Sequence, residues 1–148
     1  MAGDLYLEDL HVGQRFAAGP VSVSAAEIKS FAAAFDPQPF HLDEAAAETT
    51  LFHGLAASGW HTAALTMRML TSGGLPVATG VIGVGGELAW PRPVRPGDEL
   101  RVESEVLAIT PSRSKPNQAI VTVRTTTTNQ NRETVQVLTA KLFVVARR

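Results

Sequence analysis

Cysteine is absent from this 148-residue chain. Disulfides, thiolate metal sites and cysteine nucleophiles are excluded with it. An excess of charge of either sign is missing too: 13 Lys and Arg stand against 14 Asp and Glu, without a basic run. Nucleic acid is therefore not an expected partner. No apolar stretch reaches the ~20 residues needed to span a bilayer. The start, Met1-Ala2-Gly3-Asp4-Leu5, lacks the basic flank and apolar run of a signal peptide. No membrane partner and a cytoplasmic location are the expectation. The Gly-rich run Gly83-Val84-Gly85-Gly86 lies in a strand pattern and opens no helix, so it is no phosphate loop.

What is present reads as one domain over residues 1–148, long enough to bury a core. Ser24-Ala25-Ala26-Glu27 is a capping-box pattern. The helix it starts should carry Ile28, Phe31, Ala32 and Phe35 on one face and stop at Pro37. Asp43 is placed to cap a short Ala-rich turn ending near Thr49. From Leu55 to Leu70 apolar and small residues run almost all the way round, with Arg68 as the sole charge. That is the pattern of a buried helix.

Strand patterns dominate the rest. Arg15 to Val23 reads as a short strand broken at Gly19-Pro20, and Val77 to Trp90 as a glycine-studded one. Glu99 to Thr110 and Ala119 to Thr128 alternate, and Thr134 to Val145 is a final strand. A buried helix followed by long antiparallel strands is an α+β arrangement, with a curved sheet wrapped around the helix. Glycines between Val77 and Trp90 would supply the curvature. An unpaired sheet edge invites association and closed two-fold pairs are commonest, so a homodimer or larger homo-oligomer is expected.

The segment Phe35-Asp36-Pro37-Gln38-Pro39-Phe40-His41 carries the chemistry. Two prolines fix φ and remove two backbone donors, which argues against a helix there. Asp36 and His41 are the residue types that move protons to and from a bound water or a carbon acid. Fully extended, five residues would part them by roughly 16–18 Å, so a dyad requires the chain to turn between them.

Three segments together resemble the MaoC-like acyl dehydratases, a family that includes the (R)-specific enoyl-CoA hydratases. Asp36-Pro37-Gln38-Pro39-Phe40-His41 is similar to the family's Asp-x-Asn-Pro-(aliphatic)-His motif. His53-Gly54-Leu55-Ala56-Ala57-Ser58 is similar to the glycine-led start of its central helix. Trp90-Pro91-Arg92-Pro93-Val94-Arg95-Pro96-Gly97-Asp98 resembles its Pro-Val-x-x-Gly-Asp turn. The resemblance covers nearly the whole chain and implies a hot-dog fold, with the long helix inside the curved sheet.

It also implies an activity: reversible addition of water to a trans-2-enoyl thioester. Coenzyme A would enter as part of the substrate, with no separate cofactor. Asp36 and His41 become the dyad that binds the catalytic water. The Gly54 amide, at the expected helix start, becomes the donor to the thioester oxygen, where a helix N-terminus offers free N–H groups and partial positive charge. Gln38 stands where the family has Asn, and Phe40 where it has an aliphatic residue. Both would shape the substrate pocket.

Among other polar residues, His53 could meet substrate or simply be solvated. Thr62 falls where some hydratases have a serine near the site. Ser58 and Thr62, if helical, would satisfy their own i−4 carbonyls. His61 reads as a packed, hydrogen-bonded core residue, and His41 with His53 makes no recognisable metal set. Arg92, Arg95, Arg113 and Lys115 lie in turns and read as solvated charge, with CoA phosphates as the alternative. Two further classes stay open. One is a hot-dog thioesterase, although Leu55 to Leu70 holds no carboxylate. The other is a non-catalytic acyl-binding protein.

Overall fold

In the computed structural model, which describes residues 3–148, the elements run β1 (Arg15–Ser22), α1 (Ala25–Phe35), α2 (Pro39–Leu42), α3 (Glu44–Glu48), α4 (Gly59–Met69), β2 (Gly83–Ala89), β3 (Glu99–Pro111), β4 (Gln118–Thr128) and β5 (Thr134–Val145). The five strands form one sheet in the order β1-β3-β4-β5-β2, and every pairing is antiparallel. Period-two alternation decides which face is covered. In β3, Leu100, Val102, Ser104 and Val106 are buried. In β4 the buried set is Ala119, Val121, Val123, Thr125 and Thr127. These faces meet α4, which buries His61, Thr62, Leu65, Thr66 and Met69. Apolar side chains covered in this way contribute about 1.5–3 kcal/mol each. This is the hot-dog arrangement.

Polar groups between helix and sheet are paired, as burial requires. The Thr66 hydroxyl meets that of Thr127 at 2.7 Å. Gln136, fully buried, donates from Nε2 to Thr66 Oγ1 at 3.0 Å and accepts from Trp90 Nε1 at 2.9 Å.

The capping box at Ser24 and Glu27 forms as expected, and Asp43 caps α3. Three expectations need correction. The central helix begins at Gly59, not Leu55. Ala56 donates its N–H to Phe40 O and Ala57 donates to Val94 O, so residues 55–58 stay outside the helix, tied to chain on either side. Pro39-Phe40-His41-Leu42, read as non-helical, is one helical turn with Pro39 at its first position, where a missing N–H costs nothing. The strand expected from Val77 to Trp90 shrinks to Gly83–Ala89, because residues 76–78 bond instead to Gly3 and Leu5. Curvature does sit at the glycines. The register shifts between Gly83 and Gly85, and a Cβ on Gly86 would lie 2.6 Å from Thr139 O.

His61 is packed as expected, but it is not fully hydrogen-bonded. Its ring stacks on Phe31, with centroids 4.7 Å apart, and Nδ1 has no partner among the described residues. Burial pushes the imidazole below its ordinary value, against a weaker upward pull from Glu27. The unfolded chain therefore takes up the proton first as pH falls, and stability is lost below the ordinary histidine value of about 6.5. His61→Phe keeps the stack and removes the titration. Thermal melts across that window should show a smaller loss for His61→Phe than for wild type.

Candidate active site

Helix α1 delivers Asp36 and α2 delivers His41. Asp36 follows the last residue of α1 as its C-cap. The chain then reverses: Gln38 N–H bonds Asp36 O at 2.8 Å and His41 N–H bonds Gln38 O at 2.9 Å. This reversal brings His41 Nε2 within 3.4 Å of Asp36 Oδ2. The two residues do meet.

Their hydrogen bonds determine what they can do. His41 Nδ1 lies 2.6 Å from the Ala56 carbonyl oxygen. A carbonyl only accepts, so the proton of the neutral ring is on Nδ1 and Nε2 presents its lone pair to Asp36. Asp36 Oδ2 accepts from Ser58 Oγ at 2.7 Å, and Oδ1 accepts from the Gln38 side-chain amide. Burial pushes the Asp36 carboxyl up. The hydrogen bonds from Ser58 and Gln38, and the imidazole when it carries its second proton, outweigh it and hold the group below its ordinary value. With the ring neutral, two acceptors face each other. A water donating one proton to each would bridge them, with its oxygen lone pairs free to attack.

Ser58 is the site residue that sequence reasoning missed. It caps α4, accepting from Trp60 N–H at 3.2 Å while donating to Asp36. A Ser before a helical run is a start signal, and reading the helix from Leu55 hid it. Thr62, a minor candidate for a serine-like role, donates its hydroxyl to its own i−4 carbonyl, Ser58 O, 3.5 Å away, as expected of a helical threonine.

Gly54 also needs correction. It lies five residues before α4, and its N–H donates to Ala47 O at 3.2 Å. The residue that opens α4 is Gly59, whose N–H has no acceptor among the described residues. The free N–H and the positive end of the helix dipole therefore lie at Gly59, not at Gly54.

A cavity of about 280 Å³, at the small end for ligand pockets, lies against this assembly. It is lined by His41, Phe52, Gly59, Thr62, Trp90 and Val94 among others. Phe40 stands edge-on to His41, with centroids 4.6 Å apart, and packs on Phe52. It backs the imidazole and does not line this cavity. His53 is exposed, lies outside the cavity lining and is not brought to the dyad. Of the turn cations, Arg92 pairs with Glu133 at 3.1 Å.

A helix N-terminus beside a carboxylate–imidazole pair, on a helix wrapped by an antiparallel sheet, defines a class. Residues 9–130 match the MaoC like domain, and the chain belongs to that family of dehydratases. The crystal structure of a MaoC-like dehydratase from Rhodospirillum rubrum is 62% identical and superposes with a TM-score of 0.97, over 98% of this chain and 99% of that one. An uncharacterised protein of Bacillus subtilis is 34% identical over 96% of this chain and 99% of its own length. An (R)-specific enoyl-CoA hydratase of Rhodospirillum rubrum is 33% identical over 83% of this chain and 81% of its own. No helix among the described residues is long and apolar enough to cross a membrane.

Proposed function

We propose that the protein is a hydro-lyase that reversibly adds water to a trans-2-enoyl thioester, carried on coenzyme A. One observation carries the reading: Asp36 Oδ2 and His41 Nε2, both acceptors, face each other across 3.4 Å beside the free N–H of Gly59. In the forward direction the water oxygen attacks Cβ of the enoyl group. One water proton passes through the pair and is returned to Cα, and the negative charge that builds on the thioester oxygen meets the Gly59 N–H. Which member of the pair is base and which acid is a property of the coupled dyad. The family and its hydratase relative support the reaction class.

The test is a hydration assay over short, medium and branched trans-2-enoyl-CoAs, with thioester hydrolysis followed in the same samples. Hydration without hydrolysis is the expected result. Hydrolysis alone would move the reading to a thioesterase, a class disfavoured because α4 carries no carboxylate.

We infer that the chain self-associates. The outer edge of β2 pairs with no strand among the described residues. Ile82 and Val84 are exposed there, and Trp60, exposed as well, lines an apolar groove of about 410 Å³ with Leu88 of β2. Open edges and contiguous apolar patches are association surfaces. Light scattering at micromolar concentration should return at least the mass of a dimer, and a monomer mass would refute this.

A further inference from the structure

The third sequence segment, Trp90 to Asp98, has a role in the site that its resemblance to a simple turn does not explain. Arg95 sends its guanidinium into the loop that precedes α4. Nη1 donates to Gly54 O at 3.0 Å and Leu55 O at 3.2 Å, and Nη2 donates to Phe52 O. No carboxylate pairs with this guanidinium among the described residues. The nearby Asp98 takes the Arg95 main-chain N–H instead, at 2.8 Å. Three carbonyls of one short loop are thus gathered onto one planar cation, whose fixed fork of donors suits the task.

The loop needs holding. His53 has φ 54°, the left-handed region, and Gly54 has φ 150°. Such backbone persists where the surroundings over-determine it. Directly after the clamped carbonyls comes Ala56, whose carbonyl receives His41 Nδ1–H at 2.6 Å. Two residues later comes Ser58, whose hydroxyl holds Asp36.

We propose that Arg95 is a positioning residue for the dyad: by gathering the Phe52, Gly54 and Leu55 carbonyls it presents the Ala56 carbonyl to His41 and so fixes the ring's tautomer, with Nε2 free to accept a proton. The inference rests on the hydratase reading only for its kinetic consequence. The ring itself reports the tautomer without substrate. An arginine that merely stabilised the fold would change melting temperature and leave the His41 tautomer alone.

The experiment uses the full chain, labelled with ¹⁵N, at a pH about two units above the ordinary histidine value. Ring ¹⁵N–¹H correlation spectra are recorded, with His41 assigned by its loss in His41→Ala. Wild type should show one form for His41, protonated at Nδ1. Arg95→Ala, verified as folded by near-UV circular dichroism, should show a mixture with the Nε2-protonated form, and added methylguanidinium should restore the single form.

On crotonyl-CoA the same variant should lose about 100-fold in kcat with little change in KM, the scale expected when a reacting group is slightly misplaced. Should Arg95→Ala not fold, Arg95→Gln decides by the same criterion, because its side chain is too short to span three carbonyls. A folded variant in which His41 stays wholly Nδ1-protonated overturns the proposal. If wild type hydrates no enoyl-CoA while the tautomer shifts as expected, the positioning role stands and the hydratase reading alone falls.

Discussion

Asp36→Asn and His41→Ala should each lower turnover of the best trans-2-enoyl-CoA by about 10²–10⁴-fold, the usual worth of general acid–base catalysis. The reason is specific to this geometry. A water that donates one proton to Asp36 Oδ2 and one to His41 Nε2 is activated only while both atoms are acceptors. Asp36→Asn keeps the shape but halves the acceptor capacity, and its amide can donate where the water must. His41→Ala removes the second acceptor. The double variant should lose little more than the worse single one, since groups acting on one water are non-additive. Both variants are compared as folded proteins, verified by near-UV circular dichroism, because His41 is buried and packs on Phe40 and Phe52. Near-wild-type turnover in a folded Asp36→Asn or His41→Ala would end the dyad assignment.

The dyad also has a pH signature. Hydrogen bonds from Ser58 and Gln38 help to keep the Asp36 carboxyl below its ordinary value against the upward push of burial. The working carboxylate is therefore present through neutral pH, and the acid limb of activity belongs to the coupled pair, since a proton on either member removes one of the two acceptors. Ser58→Ala removes one of those bonds, so the acid limb of kcat/KM should move to higher pH. An unmoved acid limb would mean that Asp36 does not control it. For stability the sign is the same. The Asp36 contribution is in place above the carboxylate's unfolded value and is lost as pH falls through the folded one.

The architecture was legible wherever a local pattern was sufficient. Alternation in β3 and β4 is a period-two signal that any sheet with one covered face must obey. The Ser24–Glu27 box is confined to four residues. What escaped the sequence depended on distant partners. Residues 55–58 look helical by composition, yet bonds from Ala56 to Phe40 and from Ala57 to Val94 hold them out of the helix. From that single shift came the misplacement of the helix start at Gly54 and the omission of Ser58. Pro39 was read as a breaker although a proline at the first helical position is an opener, and the reversal it begins is what brings His41 back to Asp36. The residues of the dyad could be named from sequence, whereas the 3.4 Å between them is a product of the fold. Arg95 shows the limit most clearly, because a turn arginine is indistinguishable from solvated charge until the carbonyls it holds are placed beside it.

Gly59→Pro tests the remaining part of the site, and a loss of about 10²–10³-fold in kcat is expected, the scale of removing one oxyanion donor. Proline deletes the one backbone N–H assigned to the thioester oxygen while leaving the helix start otherwise acceptable. It is at home in the first helical position, and Ser58 already has φ −56° and ψ 140°, which a following proline tolerates. Steric bulk is the competing effect. A Cβ on Gly59 would lie 2.7 Å from Cδ2 and Cε2 of Trp90, and that ring is pinned by its bond to the buried Gln136. Both substitutions should therefore be made in a Trp90→Ala background, which opens the space. The unpaired Gln136 acceptor costs stability equally in each arm. There Gly59→Ala supplies the Cβ and keeps the N–H, so the ratio of its kcat to that of Gly59→Pro isolates the donor. Equal rates in the two variants, both folded by near-UV circular dichroism, would show that the developing charge is met by some other group and that the start of α4 serves only to hold Ser58 against Asp36.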